Sequence, residues 1–163
     1  MSGNTRVSVL FVCLGNICRS PTAEGVFRHL LQREGMDEYI EVDSAGTHAY
    51  HIGEPPDARA QETAATRGID LSGLRGRRAV AHDLEVFDYV LAMDRENYDN
   101  LLAISPKVHV HKVQLFMSYA ADRLEDEVPD PYYGGDSGFD RVLDMIEEAA
   151  TGLLQDIRQR RGF

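Results

Sequence analysis

The stretch Val7-Ser8-Val9-Leu10-Phe11-Val12-Cys13-Leu14-Gly15-Asn16-Ile17-Cys18-Arg19-Ser20-Pro21 decides how the rest of this chain is read. Val7 to Val12 is a short apolar run rich in β-branched residues, which suits a strand buried on both faces of a parallel sheet. From Pro21 to Glu34, Ala23, Val26, Phe27, Leu30 and Leu31 recur at helical spacing, with Ser20 or Pro21 at the start and Gly35 as the stop. Cys13 to Ser20 is therefore a tight turn from a buried strand into a helix.

The same alternation continues downstream. A strand is expected at Tyr39 to Ser44, a helix at Asp57 to Arg67 ended by Gly68, and a third strand at Phe87 to Met93. A helix at Arg95 to Ile104, a fourth strand at Val108 to Val113 and a long closing helix at Gly138 to Arg161 complete the pattern. Arg158, Arg160 and Arg161 fall in that helix's last turn, where cations favour the dipole. Strands alternating with helices pair in parallel, giving an α/β fold with helices on both faces of the sheet. Ligands in such sheets bind beyond the carboxyl ends of the strands, the edge shared by the loops Cys13 to Ser20 and Ser44 to Pro56. The connection from about Leu124 to Ser137 is long, acidic and rich in Pro, Tyr and Gly, which marks it as functional.

The chain has 163 residues, with 17 Lys+Arg against 27 Asp+Glu, a formal charge of -10 and 43% hydrophobic residues. That fits one globular domain, residues 1–163, able to bury a core without staples. Two cysteines are too few for a disulfide scaffold. No run approaches the ~20 apolar residues of a membrane span, and Met1 to Val7 lacks the apolar stretch of a secretory leader, so a cytoplasmic protein is expected. Only two lysines, Lys107 and Lys112, with no clustered basic face, make nucleic acid a poor partner. Nothing demands more than a monomer. An anionic ligand needs a local site that overcomes the net negative field.

Cys13 and Arg19 bracket five residues that can supply one. If they curl, their backbone N–H groups converge into an anion nest, and the helix N-terminus adds positive potential at the same point. Gly15 would allow backbone angles closed to other residues, Asn16 tolerates left-handed geometry, and Arg19 offers a planar fork for two phosphate oxygens. Cys13 then lies at the bottom of a bowl. Such surroundings lower a thiol pKa into the range ~3.5–7.5 and leave a thiolate nucleophile at neutral pH, with Ser20 able to donate to it. The bare Cys-five-Arg spacing is a weak signal; its place between strand and helix, with Gly, Asn and Ser in position, gives it weight. Reading Cys13 and Cys18 as buried apolar residues and Arg19 as a surface residue leaves the rest of the loop without a reason.

The run VCLGNICRSPTAE, Val12 to Glu24, resembles the phosphate-binding loop of the low-molecular-weight protein tyrosine phosphatases. The resemblance continues through Asp43-Ser44-Ala45-Gly46-Thr47, then Gly53, Pro55 and Asp57, then Asp88 to Asp94 with Asn97, and ends in Asp130-Pro131-Tyr132-Tyr133-Gly134. It implies a four-stranded parallel sheet with helices on both faces and no metal or organic cofactor. By the same resemblance Cys13 forms a phosphocysteine intermediate, Arg19 clamps the phosphoryl oxygens, and Asp130 is the general acid that protonates the leaving phenolate, then the base on the hydrolytic water. Substrate contacts fall to Leu14, Gly15, Asn16, Ile17, Cys18 and Ser20 of the loop and to the aromatic walls Tyr50, Tyr132 and Tyr133. Ser44, Asp94 and Asn97 are its loop-supporting residues. The implied partner is a phosphotyrosine-containing protein or peptide.

In the family an apolar branched residue like Ile17 goes with tyrosine phosphatases and a Thr with arginine phosphatases. Cys18 matches members that form a reversible disulfide within the loop under peroxide, which here would shield Cys13. One departure stands out: many eukaryotic members have a His supporting the loop asparagine, and at the matching segment, Ser72-Gly73-Leu74-Arg75, this chain has Gly73. His29 joins no cluster, His48 and His51 flank the entrance loop, and His109 and His111 share one face of the expected fourth strand without further metal ligands at spacing. Arsenate reductase is the nearest rival, but its disulfide relay needs further cysteines, and none follows Cys18. A non-catalytic phosphotyrosine-binding module, or a thiol redox sensor using Cys13 and Cys18, is disfavoured by the presence of Cys13, Arg19 and Asp130 together, since a binder needs neither nucleophile nor acid.

Overall fold

The computed structural model describes residues 6–48, 50–131 and 137–163. Its centre is β1 (Val7–Cys13), flanked by β2 (Ile40–Gly46) and β3 (Tyr89–Ala92), with β4 (Val113–Leu115) beyond β3. All three pairings are parallel, in the order β2-β1-β3-β4. Five helices connect or cover the strands: α1 (Arg19–Arg33), α2 (Ala58–Ala65), α3 (Ala81–Val86), α4 (Arg95–Ile104) and α5 (Ser137–Arg161).

Alternation along β1 divides the core in two, because successive side chains of a strand point to opposite faces. Val7, Val9, Phe11 and Cys13 face the layer built by α1 and α5, while Leu10 and Val12 face Leu84 of α3 and Leu101 of α4. Phe11 is fully buried and meets Phe27 and Phe116 edge to face, at centroid distances of 5.8 and 5.0 Å. Burying such a ring is worth about 1.5–3 kcal/mol, so the strand that ends in Cys13 is among the most firmly held parts of the molecule. In register, Cys13 lies opposite Gly46 at the carboxyl edge of the sheet.

Three expectations need correction. The fourth strand is not Val108 to Val113: Lys107–Lys112 is a 3-10 turn, and pairing begins at Val113. The alternation of Val108, Val110 and the histidines between them mimicked a half-buried strand, yet Val108 is 70% and Val110 38% exposed, so no face of that segment is buried. His109 and His111 accordingly share no strand face. Helix α3 was absent from the expected pattern, since six residues are too few to show a helical period. Helix α1 starts at Arg19 rather than Pro21, which places Arg19 in its first turn, against the bowl.

Candidate active site

Four carbonyls of the loop after β1 are held from outside. The Cys13 oxygen accepts from Thr47 N–H (2.9 Å), the Leu14 oxygen from His48 N–H (3.1 Å), the Ile17 oxygen from Asp57 N–H (2.8 Å), and the Cys18 oxygen from Thr22 N–H and Oγ1. In a trans peptide the N–H of the next residue points the opposite way. The amides of Leu14, Gly15, Cys18 and Arg19 are therefore turned to the concave side, and Asn16 N–H points at the Cys13 sulfur at 3.3 Å. No side chain caps the start of α1, so the positive end of that helix is not spent on a cap at the base of the loop. The inward-facing amides and the helix terminus required for an anion nest are both present.

The backbone freedom resides at Asn16, which has φ 59°, the one left-handed non-glycine among the described residues. Gly15 is not left-handed, contrary to expectation. Space there is tight instead: a Cβ would fall 2.9 Å from His51 Cδ2, so that ring would have to move aside. Gly46 serves the loop likewise: a Cβ would stand 2.9 Å from the Leu14 carbonyl oxygen and 3.1 Å from Asn16 N.

Asn16 is held at both ends of its amide. Nδ2 donates to Ser20 Oγ (2.8 Å) and Ser44 Oγ (3.0 Å), while Oδ1 accepts from Arg77 N–H (3.0 Å). Arg77 is itself fixed by Asp43 and by a two-pronged contact with the buried Asp83 at the start of α3. Gly73 is exposed, and a Cβ on it would meet nothing within 4 Å, so the support of Asn16 comes from another residue. Leu74 is the partly buried residue of that segment, packed on the core, and the Arg77 amide supplies the hydrogen bond. Ser20 Oγ lies 3.0 Å from the Cys13 sulfur.

Arg19 is 2% exposed. Its Nη1 donates to Asp94 Oδ2 (2.7 Å) and to the Val128 carbonyl (3.0 Å), and its Nη2 lies 3.7 Å from Asp130 Oδ2. Burial opposes its charge, but the Cys13 sulfur and Asp94 outweigh that and hold its proton more tightly than usual. Asp94 is also the N-cap of α4, accepting from Asn97 N–H (2.8 Å), while Asn97 Oδ1 accepts from Asp94 N–H. One carboxylate thus fastens a helix and orients the guanidinium.

Cys13, Leu14, Gly15, Ile17, Cys18, Arg19, Tyr50, His51 and Asp130 line a cavity of about 320 Å³. Tyr50 stacks on His48 at its rim, with centroids 5.2 Å apart and an interplanar angle of 14°. Tyr132 and Tyr133 lie outside the described residues. Cys13 and Cys18 are both free thiols. Burial pushes the Cys18 thiol far up, and the charges of Asp57, Cys13 and Asp130 push it further. Sequence reading did not assign Arg77, His51, Glu24 or Arg28 to this site; of these, His51 lies on the entrance loop and Glu24 ends the run that carries the family resemblance, while Arg77 and Arg28 carried no signal.

A family model described as low molecular weight phosphotyrosine protein phosphatase matches residues 8–162. A low molecular weight protein-tyrosine-phosphatase of Bacillus subtilis is 40% identical over 95% of this chain and 98% of its own length. The human low molecular weight phosphotyrosine protein phosphatase is 41% identical, again over 95% and 98% of the two chains. Among solved structures, a protein tyrosine phosphatase from Entamoeba histolytica with Hepes in its active site superposes with a TM-score of 0.90 at 40% identity, covering 96% of this chain and 98% of that one.

Proposed function

This chain belongs to the low molecular weight phosphotyrosine protein phosphatases and is a protein-tyrosine phosphatase acting through a phosphocysteine intermediate, and on that premise we propose how its own residues divide the work. Cys13 attacks phosphorus as the thiolate. The inward amides and Arg19 hold the three equatorial oxygens, and Asp130 protonates the departing phenolate as the P–O bond breaks. Water then attacks phosphocysteine with Asp130 as base, releasing phosphate and restoring the thiolate. The observation that carries this is the pair of hydrogen bonds on one buried sulfur, from Asn16 N–H and with Ser20 Oγ, beside an arginine fixed by Asp94.

The substrate is phosphotyrosine in a protein or peptide. An aromatic ester can carry its phosphate past the Tyr50 and His48 rings to Cys13, a residue 3% exposed, and the apolar Ile17 on the wall suits a ring better than a charged guanidinium. Residues 1–163 act as one phosphatase domain and as a monomer. A site built on two free thiols fits the reducing cytoplasm, and no helix among the described residues is long and apolar enough to cross a membrane. Cys13→Ser provides the test: p-nitrophenyl phosphate turnover should vanish while vanadate or phosphate still binds in calorimetry. Turnover within tenfold of wild type would remove Cys13 from its role.

A further inference from the structure

We propose that Glu24 and Arg28 of α1, which do not line the cavity, set the direction of the hydrogen-bond chain ending on the Cys13 sulfur and so act as positioning residues for the nucleophile. The proposal rests on Cys13 being that nucleophile. Glu24 is buried, its side chain 4% exposed, one turn before Arg28, whose side chain is 51% exposed. One carboxylate oxygen accepts from Arg28 Nε (3.0 Å) and Nη2 (2.7 Å), and the same Nη2 reaches the Val42 carbonyl of β2. The other accepts the Ser44 hydroxyl at 2.7 Å.

An ionised carboxylate can only accept, so Ser44 must give Glu24 its single proton. What Ser44 offers Asn16 is then a lone pair, which matches the Nδ2 that Asn16, its Oδ1 held by the Arg77 N–H, presents 3.0 Å away. The second proton of Nδ2 goes to Ser20 Oγ at 2.8 Å. Ser20, having accepted, has its proton for the Cys13 sulfur at 3.0 Å, with the Ala45 carbonyl as the longer choice at 3.3 Å. A buried anion at each end is served by donors, and reversing any one group would set donor against donor or acceptor against acceptor. Arg28 supplies the cation that Glu24 needs. Without it the buried charge is uncompensated, a state relieved by proton uptake or rotation of the carboxyl, either of which frees Ser44 to turn.

The other charged groups around the chain stay in place when these two residues change. They are Arg19, Asp94 and Asp130 at the mouth, Asp57 and Arg59 near Cys18, and the Asp43–Arg77–Asp83 cluster beyond Asn16.

The experiment is the pH profile of Cys13 alkylation by iodoacetamide in the full chain, read by peptide mass, for wild type, Glu24→Gln, Arg28→Met and Arg28→Lys. Cys18, with its thiol pushed far up, stays unreactive across the working range. In Glu24→Gln the amide oxygen remains on the Arg28 fork and the amide N–H turns to Ser44, which then meets donors on both sides. Its alkylation midpoint should rise by about 1 pH unit, and that of Arg28→Met by about half as much, since each weakens donation to the charged sulfur. In both, kcat should fall about threefold to tenfold with KM changed less than about twofold, while Arg28→Lys, which keeps the charge, returns near wild type. Midpoints equal to wild type in Arg28→Met and Glu24→Gln overturn the proposal, as does a Lys variant no better than Met. Arg28 is half-exposed, so its variants remain informative if Glu24→Gln does not fold. Cys13→Ser run alongside separates the two failures: if it turns over substrate, the nucleophile assignment falls, and if it is inert while the profiles coincide, only the positioning role falls.

Discussion

At the floor of the bowl, Asn16, Ser20, Ser44 and Glu24 are buried and joined by short hydrogen bonds whose donors and acceptors are all assigned. The loop that carries Asp130 is fastened from the outside, by Arg95 to Asp126, Arg141 to Glu125, and the Arg95 N–H to Glu127. Those ion pairs have side chains 40% to 64% exposed. The two regions meet at Val128, whose N–H holds the Met93 carbonyl and whose carbonyl accepts from Arg19. The difference teaches where rigidity is needed. In the mechanism we propose, the floor must present the same donors to phosphorus in both chemical steps, and buried, fully paired networks do that at a high cost for any single change. In the same mechanism the loop of Asp130 must deliver a proton and then let phosphate leave, and exposed pairs, screened by salt, restrain it only weakly.

The largest effect expected from breaking the loop's side of this contrast is at Asp130 itself. Asp130→Ala should slow phenyl phosphate hydrolysis by about 10²–10⁴-fold, and esters with strongly acidic leaving groups much less, because those need no proton. Equal losses across a leaving-group series in steady-state kinetics would take Asp130 out of the acid role. On the floor, Asn16→Ala both strains a left-handed residue, by about 1–2 kcal/mol, and orphans Ser20, Ser44 and the Arg77 amide. Asn16→Gly removes the strain and keeps the orphaning. Urea melts should show Gly recovering about 1–2 kcal/mol of the Ala loss, while kcat stays depressed about tenfold or more in both. If Gly restores kcat as well, the left-handed turn matters and the network does not.

That division also explains what the sequence revealed. Cys13, Asn16, Arg19 and Ser20 fall within eight residues, and the strand-turn-helix pattern alone places them together. Ser44, Asp94 and Asp130 reach the site from far along the chain and became legible only through the family resemblance. Arg77 acts through a backbone N–H, which every residue but proline possesses, so its side chain carries no signal of that role. Glu24 ends the run that carries the family resemblance, but nothing local says that its carboxylate is buried or that Arg28, one turn on, partners it. In the fold, β1 and α1 were legible because each buries a long regular pattern. β4 was not, because three residues, Val113 to Leu115, are too few to display alternation, while the neighbouring valines display it without burial.

Cys18 sharpens the contrast from the chemical side. Beside Cys13 the cavity wall holds a second sulfur, that of Cys18, whose thiol burial pushes far up. Peroxide should convert Cys13 to a sulfenic acid that Cys18 captures as a disulfide with loss of water, a net loss of two hydrogens from the protein. Activity should return almost fully with dithiothreitol in wild type, and about tenfold less completely in Cys18→Ser after equal exposure, as over-oxidation proceeds unchecked. Recovery that is the same in both proteins, or a wild-type mass without the loss of two hydrogens, would exclude the disulfide.

The smallest effect belongs to the exposed fastening. Arg95 is 64% exposed and pairs with Asp126, 56% exposed, on the approach to the acid. Arg95→Ala keeps the backbone N–H that caps onto Glu127 and deletes only the ion pair. An exposed pair of this kind contributes about 0–1 kcal/mol, so the unfolding free energy from urea melts should fall by no more than that, and the loss should vanish in about 0.5 M salt. The alkylation profile of Cys13 should stay where it is, because no link of the buried chain has been touched. A loss above about 2 kcal/mol that persists in high salt would mean that Arg95 anchors the loop as firmly as buried groups anchor the floor. The two regions would then not differ in how they are held, and the freedom of the acid loop would have to come from the backbone between Val128 and Asp130 instead.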